Sequence, residues 1–137
     1  MSLFKVFDIA GSSMSAQSVR LNTTASNLAN AETVAGSADA AYRSRQPVFQ
    51  TVMDEQSMDG SSVGVRVSGV TESQAEPVRV HQPGHPNADE DGYVYLSNVN
   101  AVDELVNMIS ASRSYQNSVE VLNTSKELLL RTLQLGQ

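Results

Sequence analysis

Several groups of residues carry side chains whose type and spacing could do chemistry. The run Gly60-Ser-Ser62-Val-Gly64 has the spacing of a nucleophile elbow, in which a strand delivers a serine to a strained turn and a helix leads away from it. Here a strand-like run follows Ser62, and no alternation of strands and helices supplies acid and histidine partners. A Gly/Ser turn entering a strand accounts for it. Asn87-Ala-Asp89-Glu-Asp91-Gly92 matches the first half of a calcium loop. The twelfth position, which should supply a bidentate Glu, is Asn98, and Pro83 and Pro86 occupy the place of the entering helix. The run is read as an acidic turn before Tyr93. His81 and His85 would align only on a helix, which Pro83-Gly84 forbids, so they belong to a rigid loop. Asp103 and Glu104 could be an acid pair, but a helix N-terminus attracts acids without any catalysis. With no cysteine in the chain, thiolate chemistry, disulfides and Cys-based metal centres are excluded. No catalytic residue, metal, cofactor or small-molecule substrate is expected.

The elements that would position these residues are written in the apolar spacing. Phe4, Phe7, Gly11, Met14, Ser18, Leu21, Ala25 and Leu28 recur at three and four, predicting a helix with a seam. One row is large (Phe7, Met14, Leu21, Leu28). The other, after Phe4, is small (Gly11, Ser18, Ala25) and would let a partner helix approach closely. The helix should stop near Asn27-Leu-Ala-Asn30, since Asn tolerates the left-handed backbone that ends helices. All four prolines and six of the eight glycines fall between Thr33 and Asn100, so this stretch is not helical. The runs beginning at Val63, Pro77 and Tyr93 have strand character, predicting a small antiparallel β insert. Thr33 to Ala41 reads as a flexible connection.

A second helix opens at Asn100, a capping residue ahead of Asp103 and Glu104. Leu105, Met108, Ser112, Tyr115, Val119, Leu122, Lys126, Leu129 and Leu133 continue the three-four spacing, and Gly136 ends it. The two seams have similar lengths, roughly 36 and 42 Å at about 1.5 Å per residue. The expected class is therefore α+β, with two long terminal helices packed as an antiparallel coiled coil and a small β-rich insert between them. The divisions fall at 1–32, 33–99 and 100–137. A narrow seam is too little apolar surface to order helices this long, so each should need neighbours from other chains.

Charge and hydropathy narrow the class further. The net charge is −6, and nine Lys and Arg are spread from Lys5 to Arg131, leaving no basic stripe for nucleic acid. No run approaches the roughly 18 apolar residues of a membrane span, so direct membrane insertion is not expected. Lys5 and Asp8 interrupt the apolar N-terminus, and no cleavable signal is predicted.

Ser26-Asn-Leu-Ala-Asn30 is similar to a motif shared by the rod and hook proteins of the bacterial flagellar axial family. Two longer runs resemble the family's rod members: Pro83-Gly-His-Pro-Asn-Ala-Asp-Glu-Asp-Gly-Tyr-Val94, and Ser97-Asn-Val-Asn continuing through Asp103 to Asn117. Tyr42-Arg-Ser-Arg-Gln-Pro-Val-Phe49 fits the same pattern, so nearly the whole chain is covered. Asn27, Asn30, Asn98, Asn100, Arg113 and Asn117 stand within these runs. The family pattern departs at Ser97, usually Pro, and at Ala31-Glu-Thr-Val, usually a short Asn-Ala-Asn-Thr run. The resemblance implies a structural subunit of the proximal rod, the drive shaft through the periplasm. It also implies export by the flagellar type III apparatus without leader cleavage, and assembly with other rod subunits and copies of itself. Phe4, Phe7, Gly11, Met14, Leu21, Leu28, Leu105, Met108, Tyr115, Val119, Leu122, Leu129 and Leu133 would pack the assembly. A cytoplasmic coiled-coil adaptor binding a partner helix is the alternative reading of the same helices.

Overall fold

The computed structural model describes residues 3–53 and 63–136. Helix α1 (Leu3–Ala29) leads into strands β1 (Val34–Ala35), β2 (Arg45–Met53), β3 (Val63–Glu72), β4 (Val78–His81) and β5 (Tyr93–Leu96), and α2 (Ala101–Leu135) follows. The start of α2 lies where the capping signal puts it: the Asn100 side chain accepts from the N–H groups of Val102 at 3.0 Å and Asp103 at 3.4 Å. At the other end the Gly136 N–H donates to Leu133 O. Helix α1 stops within the expected Asn27–Asn30 run, but not by a left-handed residue. Asn30 Nδ2 donates to Ser26 O at 2.8 Å, so a side chain satisfies one of the last carbonyls.

The insert is antiparallel and forms two sheets. One has the order β1-β5-β4, and the other is a two-stranded ribbon of β2 and β3. Strands β1 and β2 are not among the expected strands: β1 falls in the Thr33–Ala41 stretch read as a flexible connection, where Val34 and Ala35 pair with Leu96 and Tyr95, and in β2 Pro47 argues against a strand and the residues do not alternate cleanly. The ribbon tolerates it, having open edges. Its register jumps between Val48↔Gly69 and Phe49↔Val67, leaving Ser68 as the extra residue of a bulge whose hydroxyl donates to Val48 O at 3.2 Å. The ribbon lies along α1. Ser12 Oγ accepts the Val65 N–H at 3.2 Å, and a Cβ on Gly64 would sit 3.3 Å from that same oxygen.

The helices pair antiparallel: Ser13 meets Ser118 at 3.1 Å, and Arg20 donates to Asn107 Oδ1 at 3.1 Å, so numbers rise on one helix as they fall on the other. Their contact uses a different stripe from the one the spacing suggests. On α2 the inward row is Glu104, Ala111, Ser118 and Ser125, alternating with Met108, Tyr115, Leu122 and Leu129, which are half-buried. The expected row Leu105, Ser112, Val119, Lys126, Leu133 is one residue out of phase, and Leu105 and Leu133 are 47% and 60% exposed. On α1, Phe7, Met14, Leu21 and Leu28 are half-buried, whereas Phe4, Gly11, Ser18 and Ala25 all face outward. An added Cβ at Gly11 would meet nothing within 4 Å. Small residues do stand in the contact: Ser13 meets Ser118 at 3.1 Å with Ala10 beside them, and Thr24, Ala111 and Ser125 are buried as well. Small side chains let two backbones come together, and the bulky ones are displaced to the flanks.

Candidate assembly surface

The motif asparagines hold the molecule together where the helices meet the insert. Asn27, 1% exposed, acts as a substitute strand neighbour for Arg45. Its Oδ1 accepts the Arg45 N–H at 2.9 Å, and its Nδ2 donates to Arg45 O at 2.7 Å. The same Oδ1 accepts the Tyr42 hydroxyl at 3.0 Å. Asn98 repeats the device one residue earlier, accepting the Ser44 N–H at 2.7 Å and donating to Ala75 O at 2.8 Å. Ser97 Oγ donates to Ala31 O at 2.6 Å. Backbone groups that lack a ladder partner are thereby satisfied. Tyr42, Ser44 and Ser97 complete this knot; of these the sequence singles out Ser97 alone, as a departure from the family pattern, and not as a bonding residue. Otherwise their only signal was membership of the family-like runs.

The runs weighed for chemistry are occupied locally. Both oxygens of Asp89 tie its loop: Oδ1 accepts the N–H groups of Tyr93 at 2.7 Å and Asp91 at 3.1 Å, and Oδ2 accepts the Tyr95 hydroxyl at 3.3 Å. The Tyr93 backbone bond, chief among these, holds the Asp89 carboxyl below its ordinary range, against a smaller opposing effect of burial. Gly92 follows with φ of +79°, the left-handed turn that brings the chain into β5. His81 packs against the Tyr93 ring at 4.8 Å, while His85 Nδ1 accepts the Asn87 N–H at 3.1 Å, so the two imidazoles serve separate contacts. Arg79 covers the other contact of Tyr93, 3.7 Å from the ring centroid. Gly60 to Ser62 of the elbow-like run lie outside the described residues. Among the described residues no three His, Asp or Glu cluster as metal ligands, and no helix is long and apolar enough to cross a membrane.

What the chain displays is apolar side chain on its outside. Val102, Leu105, Val106 and Ile109 are exposed at the start of α2, and Leu128, Leu130, Leu133 and Leu135 at its end. A groove of about 360 Å³ between the helices is lined by Val6, Ile9, Ala10 and Val121, with Asn117 on its rim. A second runs along Val106, Ile109, Ser110 and Arg113 on α2. Of the predicted packing set, Phe4, Leu105 and Leu133 stand exposed, and Phe7, Met14, Leu21, Leu28, Met108, Tyr115, Leu122 and Leu129 are half-buried.

Residues 7–46 match the family described as flagella basal body rod protein, and residues 90–135 match the C-terminal family of flagellar basal body rod FlgEFG proteins. Over the full length of both chains, the sequence is 52% identical to the flagellar basal-body rod protein FlgC of Salmonella typhimurium and 53% identical to that of Escherichia coli O157:H7. It is 40% identical, again over the whole of both chains, to the same-named protein of Buchnera aphidicola subsp. Schizaphis graminum. With the knotted motifs and both terminal helices inside these matches, the chain belongs to the FlgC family of flagellar basal-body rod proteins, structural subunits of the rod.

Proposed function

We propose that this subunit is a segment of the proximal rod and transmits torque from the motor to the hook through its terminal helices, 1–32 and 100–137, with 33–99 as a brace. The observation that carries this reading is the inverted distribution of side chains. Small residues join the two helices of one chain, while Leu105, Ile109, Leu130 and Leu133 stay at the surface. Apolar rows of this kind are stabilised when covered, and a shaft built of many copies covers them with neighbouring helices. The outward row of Gly11, Ser18 and Ala25 then becomes a place for another subunit's helix, and the grooves lined by Asn117 and by Arg113 become two more.

Export by the flagellar type III apparatus without leader cleavage belongs to the same reading. A helix pair held by small and polar side chains gives up little on being threaded through a channel. The test is to supply a tagged copy to cells lacking their own and to isolate basal bodies. The tagged chain should appear in the rod, with its N-terminus uncleaved, only when the export apparatus is active. Recovery of the chain solely in the cytoplasm, bound to a soluble helical partner, would establish the adaptor reading instead.

A further inference from the structure

Helix α2 carries an apolar patch at each end. At its start Val102, Leu105, Val106 and Ile109 follow the spacing of one helix face, and they are 47% to 68% exposed. This face lies away from the row of Ala111, Ser118 and Ser125 that is turned inward. At its end Leu128, Leu130, Leu133 and Leu135 are 49% to 89% exposed and, at 3.6 residues per turn, fall on opposite sides of the axis. A helix end that is apolar on more than one side is stabilised by being surrounded. The chain does not surround it. Leu3, the first described residue of α1, lies opposite Leu128, and beyond that point no described residue of α1 runs beside α2.

The two patches suit each other better than either suits itself. Each spans eight residues, roughly 11 Å along the axis. Beside the first stands the exposed Asp103, in the acidic first turn of α2, whereas the only charge between Leu128 and Leu135 is Arg131. Among the described residues neither Asp103 nor Arg131 has an ion pair. Two copies meeting start to start would bring their acids together, and two meeting end to end would do the same with their arginines. The end of one copy on the start of the next brings opposite charges together instead. Such a contact uses two different surfaces of one chain, at opposite ends of a helix of 35 residues. It therefore does not close on a pair but repeats along the helix direction as an open stack.

We propose that the overhanging end of α2, residues 128–135, seats on the face of Val102, Leu105, Val106 and Ile109 in a second copy of this chain, with Arg131 toward Asp103, so that copies join head to tail. The proposal rests on the rod reading above. The chain has no cysteine, so introduced cysteines report the contact without background from the subunit itself. Val106→Cys and Leu133→Cys replace exposed side chains. They stand roughly 40 Å apart on one helix, too far to be bridged within a chain. In purified basal bodies treated with a short bismaleimide, the chain carrying both should give products of two, three and more copies. Cells making the two single variants together should give dimers and nothing larger, and each single variant alone should give no product.

Dimers from Val106→Cys alone would mean that start meets start. Products joining this chain only to a different protein would mean that another subunit occupies the patch, and no product at all would mean that the two patches lie apart. Each of these overturns the proposal. If Val106→Cys fails to enter basal bodies, Ile109→Cys probes the same face with the same readings. Absence of the wild-type chain from basal bodies would instead overturn the rod reading itself.

Discussion

The two ends of the helix pair are built on opposite principles. At the end where α1 finishes and α2 begins, polar side chains tie both helices to the insert: Asn27 to Arg45, Asn98 to Ser44 and Ala75, Ser97 to Ala31. Toward the other end the ties among the described residues are sparser: Ser12 Oγ accepts the Val65 N–H, and Ser118 donates to Ser13. Ser13 lies opposite Ser118, so ten residues on, Leu3 lies opposite Leu128, and no described residue of α1 faces the rest of α2. There Leu128, Leu130, Leu133 and Leu135 stand exposed. One end is completed by the chain's own hydrogen bonds, which are directional and fix a geometry. The other is left to non-directional apolar burial, which any suitably shaped neighbour can supply.

The comparison is broken most severely by removing its open end. Deleting residues 128–137 should abolish incorporation into basal bodies while the soluble subunit keeps its two sheets, because among the described residues no strand contacts that segment. Persistence of rods containing the truncated chain would show that the overhang is not an assembly surface. At the knotted end, Asn27→Ala leaves the Arg45 N–H and carbonyl, part-buried, without the partners that the buried Asn27 side chain supplies. At about 1–3 kcal/mol for each unsatisfied group, a loss of roughly 3–5 kcal/mol is expected in urea unfolding of the soluble subunit. A loss below about 1 kcal/mol would mean that water substitutes for the side chain.

Legibility in the sequence followed the same division. Periodicity announced both helices and their ends, since the Asn100 cap and the Asn27–Asn30 stop are local devices. The phase of the contact was not legible from residue size. Large residues at 3-4 spacing mark an apolar stripe but not which of its edges meets the partner helix, and Ala111, Ser118 and Ser125 were chosen by closeness of approach. Strand β2 was hidden by Pro47, and the knot by the ambiguity of Asn, which reads as a helix stop whether or not its side chain reaches a strand 18 positions away. Glu104 carried a reason for being acidic in its place near a helix start, which concealed its burial.

Two smaller tests sharpen the knotted side. Gly92→Ala forces φ of +79° on a residue with a Cβ, which would lie 3.0 Å from Pro83 Cβ. A cost of about 1–2 kcal/mol in the urea midpoint follows from the left-handed backbone. Asp89 tests the same loop through pH. Its folded-state carboxyl lies below the ordinary 3.8, so the stabilisation is present above that value and is lost as pH falls through the folded value. Titration of Asp89 by NMR should therefore show a midpoint below 3.8, with Tyr93 and Tyr95 signals moving together with it. A midpoint at or above the ordinary value would show that the loop does not depend on the charged form.

The smallest effect on the subunit, and the one that best separates inside from outside, belongs to Gly11→Leu. Were Gly11 in the contact between α1 and α2, leucine would overpack it at a cost of about 1–3 kcal/mol. It faces outward instead, with nothing within 4 Å of an added Cβ, so the soluble subunit should gain the difference in helix propensity, at most about 0.8 kcal/mol. In the rod the same side chain would stand where a neighbouring helix approaches Gly11, Ser18 and Ala25, and swimming should be impaired although the subunit is made and slightly more stable. Lower melting of the soluble variant would move Gly11 back into the intrachain contact. Raised melting with normal swimming would leave this row facing solvent in the assembled shaft as well, and would confine the neighbour contacts to α2 and the grooves beside it.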